Sequence, residues 1–524
     1  MSLEIFRAQR AIVGSAEDQR DTPVSVVVKD GMIVHIVDDA EADLAVVDIP
    51  GVTAEDLAGA QEVEIPGTQI MLPGLVDTHV HVNEPGRTEW EGFSSVTRAA
   101  AAGGVTTLLD MPLNSIPSTV TMEALATKRE IAEGKAKINV GFWGGVVPEN
   151  LGTGELKQLW DTGRVFGFKC FLLHSGVDEF RPLDRQQLYQ AMEEIAEFDG
   201  LLIVHAEDAD LIAEGEAAQV DRGGITQVYS TFEASRPPEA ERRAIETVIA
   251  ASQATGCRAH ILHLSDSGSL EVLRDAQARG VRVTAETCPH YLSLFSEEIH
   301  NGATQYKCCP PIRTAGNRER LWAGLVDGII GMIVSDHSPC TAELKKFAQA
   351  TQDNTEKGLL AAFSSLQAEG NDFGGVGADG RGGAGSFGQA WGGVASVQLG
   401  LPVIWSQARI RGLGLGAVVS WMSTAPARWA GLADRGQIAV GCRADFIAVS
   451  ADEAFVVLPE QLHQKNKVTA YAQRALAGVV HNTWVAGQLV YTRPTSAGVC
   501  DGLDDQARDQ MVFPGGLVPL VDRP

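Results

Sequence analysis

The chain reads as an α/β protein: a (β/α)8 TIM-type barrel with a small β-sandwich formed by its N- and C-terminal segments. Three observations predict this. Through the middle of the sequence, eight short apolar runs alternate with longer helix-like stretches, the pattern of parallel strands joined by crossover helices. Both ends instead carry β-branched runs separated by tight-turn dipeptides. Four histidines and an aspartate stand at the C-terminal ends of the middle runs, the end at which a βα barrel gathers its functional side chains.

Taken in order, residues 24–37 (VSVVVKDGMIVHIV) are two β-branched runs joined at Asp30-Gly31, hence a hairpin and not the start of a barrel. The eight barrel strands are expected at residues 72–82, 105–111, 138–146, 165–172, 201–205, 258–264, 281–287 and 331–336, each bounded by polar, glycine or proline signals. An open doubly wound sheet would alternate in the same way; eight strands favour closure. Residues 370–388 hold nine glycines in nineteen positions, too flexible to pack as an element, and read as a mobile surface insertion or an active-site lid. Short strands return at 436–449 and 482–490, with a second hairpin signal at Ala486-Gly487. The expected organisation is therefore residues 1–70 plus 436–494 as the small β unit, 71–435 as the barrel and 495–524 as a tail without periodicity.

Composition narrows the partners. Of 524 residues, 44% are hydrophobic and 21% charged, which describes an ordinary globular protein. The net charge of −25 opposes binding to phosphate backbones or anionic membrane surfaces, so neither nucleic acid nor membrane is expected as a partner. No apolar run approaches the roughly 18 to 20 residues of a membrane span, and residues 1–14 lack the basic and apolar regions of a signal peptide. Eight scattered cysteines without a C-x-x-C pair fit reduced thiols, and with them a cytoplasmic location.

The chemistry lies at the strand ends. His79 and His81 in VDTHVHV are two apart on a strand, so both side chains point the same way and can hold one cation. A lone strand histidine is usually structural; His205 in LLIVHAE, His263 in AHILHLS and Asp336 in MIVSDH turn the pair into a set. Lys169 stands inside an otherwise apolar strand, where an unpaired ammonium is costly. It is either a strand-end lysine paired with a carboxylate or a lysine carbamylated by carbon dioxide, whose anion can bridge two metals.

These residues resemble the amidohydrolase superfamily, and within it the dihydroorotase, hydantoinase and allantoinase branch, over about residues 4–494. The branch pattern is H-x-H, a carboxylated lysine, two later histidines and an aspartate, matched in order by His79, His81, Lys169, His205, His263 and Asp336. The resemblance implies two divalent metal ions, zinc being the expected one. His79, His81, N6-carboxylated Lys169 and Asp336 would hold the first, and Lys169, His205 and His263 the second. Two such cations about 3.5 to 4 Å apart bring the pKa of a shared water near neutrality. Asp336 is then the catalytic residue, taking the water proton and returning it to the leaving nitrogen.

Four stretches resemble the allantoinases in particular: HVNEPGRTEWEGF (81–93), DMPLNS (110–115), FKCFLLHSGVDEF (168–180) and SDHSPC (335–340). Dihydroorotases usually carry an arginine two residues after H-x-H, where this chain has Asn83; hydantoinases usually place a tyrosine five residues after the lysine, where it has His174. A neutral hydantoin bearing a ureido arm, as in allantoin, calls for amide and hydroxyl readers. Asn114 and Ser338 are the first candidates, then Asn83 and His174, while His290 and His337 read as supporting or structural. The resemblance further implies a homo-oligomer, commonly a tetramer. The competing readings are a hydantoinase or dihydropyrimidinase, and a non-catalytic scaffold of the same fold.

Overall fold

The computed structural model describes residues 2–15, 17–347 and 384–494. The parallel strands of an α/β TIM-type barrel lie at Leu75–Val80, Val105–Asp110, Asn139–Phe142 with Gly144–Gly145, Phe168–Phe171, Leu201–His205, Arg258–Ile261, Val283–Thr287 and Met332–Ile333. Their residues are almost all buried on both faces, as expected of strands wrapped by helices. The third strand is interrupted at Trp143. Before it the chain pairs with Val105–Asp110 and after it with Phe168–Phe171, so the hydrogen bonding divides into a three-stranded and a six-stranded parallel sheet.

The ring is not hydrogen-bonded round as one sheet. Between its first and last strands there is a single parallel bridge, Val80 to His337, reinforced by the buried Asp77 carboxylate, which accepts from the backbone N–H groups of His79 and Ser335, each at 3.2 Å. A side chain does here what a ladder does elsewhere in the barrel.

Both chain ends meet in one mixed eight-stranded sheet rather than in two separate sheets. Ile70–Pro73 joins them, pairing on one side with Leu3–Val13 and on the other with Phe446–Val456. Phe6, Val24, Val26, Val28, Met71, Phe446 and Trp484 share one core, with the Phe6 ring 5.0 Å from Phe446 and 5.6 Å from Trp484. One face of the sheet is thus rolled around its own core. Ile70, Leu72, Ile447 and Val449, on the alternate face, pack into the barrel's outer core. The apolar run at 72–82 is therefore two strands, divided at Gly74, where a Cβ would lie 2.2 Å from the Thr106 hydroxyl.

Both expected hairpins form. Asp30 and Gly31 have φ of 50° and 79°, Ala486 and Gly487 of 49° and 78°, the left-handed values that a two-residue turn between twisted strands demands. Of the glycine-rich stretch, 370–383 lies outside the described residues, as does the tail 495–524. The end of that stretch corrects the expectation of an unpacked loop. Phe387 is fully buried against Tyr229 and Phe232, its N–H bonds the Thr226 carbonyl, and the Ser386 hydroxyl bonds the Ile225 carbonyl. An aromatic anchor outweighs the surrounding glycines.

Candidate metal centre

All six expected ligands are brought together at the C-terminal ends of the parallel strands, and all are buried. The histidine rings form a chain, His81 to His79 at 5.5 Å, His79 to His263 at 5.5 Å and His263 to His205 at 4.6 Å between centroids. Ligand atoms of His79, His81 and Asp336 lie within 4.8 Å of one another. Asp336 Oδ1 is 3.2 Å from His79 Nε2 and 3.5 Å from His81 Nε2. Lys169, 1% exposed on the fourth parallel strand, Phe168–Phe171, places Nζ 3.5 Å from His79 Nε2 and 5.1 Å above the Phe171 ring; no carboxylate among the described residues pairs with it.

Burial pushes His79, His205 and His263 below the ordinary histidine value and His81 to about 4, so these rings are neutral and carry lone pairs. Burial also lowers Lys169 to about 8. For Asp336 burial acts the other way, but His79, His81 and His263 around it hold the carboxyl well below its usual range. The backbone is strained at the same place: His263 and Asp336 have φ of 38° and 43°, Asn83 and Asn114 of 66° and 65°. Each such residue costs of order 1–3 kcal/mol unless it is of a type that tolerates the left-handed region, as asparagine is.

The buried imidazoles have a consequence for acid stability. With His290 at about 4 and His260 at about 3, six buried histidines sit below 6.5. Between about pH 6.5 and 4 the unfolded metal-free chain binds more protons than the folded one, so stability is lost as pH falls through that window. Burial raises Asp77 to about 6 and Glu241 to about 8 and also moves Glu4, Asp110, Glu233 and Asp445 upward, which works in the opposite sense and offsets part of the imidazoles' effect. Each unopposed group contributes up to about 1.4 kcal/mol per pH unit. Urea unfolding of chelator-treated protein should show a net loss of stability from pH 6.5 to 4.5; equal or greater stability at pH 5 would contradict a net effect dominated by neutral buried rings.

The expected substrate readers divide. Asn114 Nδ2 lies 3.5 Å from His81 Nδ1, and Asn83, buried, donates to the Pro339 carbonyl while its own Oδ1 has no partner among the described residues. The Ser338 hydroxyl donates to the Asp336 carbonyl at 2.9 Å, and Gly393 packs against it so closely that a Cβ would meet Ser338 O at 2.2 Å. His174 is exposed, and its ring contacts Asp178 and the Gly176 N–H of its own loop, none of them a member of the histidine cluster. His337 is a structural group: Nδ1 accepts from Ser396 and Val397, and Nε2 faces Glu91. His290 lies beside Asp336 with both ring nitrogens unpartnered among the described residues.

Sequence reasoning missed the acids behind the histidines. Glu207 Oε2 is 2.7 Å from His205 Nε2, and Arg236 grips the same carboxylate through two N–H groups. Glu286 lies 2.6 Å from His79 Nδ1. The available signal was spacing, since Glu207 stands two residues past His205 on the same strand course; Glu286 had none.

Residues 70–490 match the amidohydrolase family. The chain belongs to that family. The allantoinase of Streptomyces avermitilis is 49% identical over 437 residues, covering 83% of this chain and 87% of its own. That of Saccharomyces cerevisiae is 41% identical, covering 80% and 83%. Among solved structures, an L-hydantoinase (dihydropyrimidinase) from Arthrobacter aurescens superimposes with a TM-score of 0.77 at 25% identity, covering 94% of this chain and 96% of that one. As an amidohydrolase the chain carries its expected ligands, from His79 to Asp336, wholly within the matched span.

Proposed function

We propose that the chain opens the hydantoin ring of allantoin to allantoate by metal-dependent hydrolysis. The observation that carries this is the similarity to allantoinases over most of both chains, joined to a clustered histidine, aspartate and lysine set. The side chains fit divalent cations. The imidazoles are neutral by burial, the Asp336 carboxylate stays ionised among them, and His263 Nδ1 is buried without a partner among the described residues. His79, His81, His205, His263, Asp336 and a carbamate on Lys169 would hold two ions, zinc in our reading.

Bound there, the ions supply an acidified water and polarise the scissile carbonyl. The chain's own residues do the rest. Asp336 accepts the water proton and delivers it to the departing ring nitrogen, so that OH adds to the carbonyl carbon and H to nitrogen as the C–N bond breaks. Asn83 Oδ1 and the Asn114 amide offer an acceptor and a donor to a neutral ring and ureido arm. The reading extends to a reduced, cytoplasmic setting, supported by seven free cysteines among the described residues, and to a homotetramer, to be checked by light scattering. No described helix is long and apolar enough to cross a membrane.

Turnover of allantoin, hydantoin, dihydrouracil and dihydroorotate by metal-replete protein tests the assignment. Allantoin should lead in kcat/KM by at least about tenfold, one pocket contact being worth about 1–3 kcal/mol. A lead for dihydrouracil or hydantoin would make the chain a dihydropyrimidinase or hydantoinase instead. Asn83 can be tested without backbone strain, because glycine tolerates its φ of 66°. Asn83→Gly should lower kcat/KM for allantoin about tenfold with an unchanged Tm, and an unchanged kcat/KM would remove Asn83 from the pocket.

A further inference from the structure

A line of hydrogen bonds runs through the barrel interior to His79. Trp429 Nε1 lies 3.2 Å from Thr284 Oγ1, Thr284 Oγ1 2.6 Å from His260 Nδ1, His260 Nε2 3.1 Å from Glu286 Oε2, and Glu286 Oε1 2.6 Å from His79 Nδ1. His260, Glu286 and His79 are at most 1% exposed, whereas Thr284, at the start of the line, is exposed. The direction of each bond follows from the groups themselves. An indole N–H only donates, so the Thr284 oxygen accepts from Trp429 and its hydroxyl is free to donate to His260. A carboxylate only accepts, and every group facing Glu286 has an N–H to give: His79, His260 and the backbone N–H of His263 at 3.4 Å.

A neutral imidazole has one N–H. If His79 spends it on Glu286 through Nδ1, its Nε2 is left as a lone pair, and that atom faces Asp336 Oδ1 at 3.2 Å and Lys169 Nζ at 3.5 Å. Two acceptors at 3.2 Å repel unless a positive charge lies against them, which is the Lys169 ammonium in the unmodified chain and a metal ion once that lysine is carbamylated. We infer that Glu286, itself held by His260, is a positioning residue that locks His79 in the Nδ1–H tautomer and so aims Nε2 at the metal. The strength of this lock comes from convergence: two rings from separate strands donate to the two oxygens of one carboxylate, and a flip of either ring takes from a buried acceptor its shortest hydrogen bond.

The inference rests on reading His79 as a ligand, but its first test does not. In chelator-treated wild-type protein, long-range 1H–15N spectra of the histidine rings, assigned with His79→Gln and His260→Gln, should show His79 protonated at Nδ1 and His260 at Nε2. His79 protonated at Nε2 would overturn the inference whatever the enzyme turns over. The second test is Glu286→Leu, close in size and unable to accept. His79 should then shift toward the Nε2–H tautomer, donating to Asp336, and zinc affinity measured against a chromophoric chelator should fall about 10- to 100-fold, as for other outer supports of metal ligands. A folded variant with the wild-type tautomer and zinc affinity would overturn it. If the substrate panel fails while both results hold, the functional reading falls and the positioning role stands.

Discussion

Lys169→Ala is expected to lose at least about a thousandfold in kcat and most of the bound metal while the protein remains folded. The ammonium of an unmodified Lys169 would sit 3.5 Å from His79 Nε2, in the midst of side chains suited to cations, and would repel them. Burial, which brings the lysine to about 8, leaves a useful fraction as free amine near neutral pH, the form that adds to carbon dioxide. The free amine forms an N–C bond to carbon dioxide and releases one proton; with the proton that the ammonium gives up first, a local positive charge becomes a negative one. Alanine removes that anion. Truncation also opens a cavity, which costs about 2–5 kcal/mol for a long side chain, but removing a buried amine that no carboxylate pairs with offsets part of that. Metal content per chain, Tm and kcat should be measured on the same preparation, with a short carboxylic acid added at high concentration to restore part of the turnover. Two metals per chain with near-normal kcat would end the carbamate reading.

Asp336→Asn is expected to lower kcat by about 10² to 10⁴, the usual worth of a positioned acid–base group, with a smaller change in KM. Asparagine keeps the shape and one oxygen toward His79 and His81 but cannot accept the water proton. The carboxylate is well prepared to take that proton, because surrounding histidines keep it ionised in spite of burial and its strained φ of 43° aims it at the cluster. Because substitution also weakens a metal contact, kcat should be read at saturating zinc and allantoin. A variant within about tenfold of wild type under those conditions would remove Asp336 as the proton carrier.

Much of this site is legible without any fold, because its signals are local. Period-two alternation puts His79 and His81 on one side of a strand whatever lies beyond it. A lysine in the apolar run Phe168–Phe171 is anomalous on solvation grounds alone. Asp30-Gly31 and Ala486-Gly487 announce hairpins because their backbone must enter the left-handed region. The number of the parallel strands follows from the same short-range alternation, and the family resemblance from the sequence order of His79, His81, Lys169, His205, His263 and Asp336.

What tertiary structure decided is everything that depends on which strands become neighbours. Gly74 divides one apolar run into a strand of the end sheet and a strand of the barrel, because only the fold brings Thr106 against its backbone. Phe387 turns the close of a glycine-rich stretch into a packed anchor, because Tyr229 and Phe232 wait for it. His174 stands at a position that family comparison favours, yet its loop turns the ring outward to Asp178. Glu286 looks like any acid at a strand end until barrel curvature sets it 2.6 Å from His79 and 3.1 Å from His260. Side-chain type and strand period are written residue by residue, whereas the hydrogen-bond partner of a buried group is set by contacts between segments far apart in the chain, and only the folded barrel supplies those.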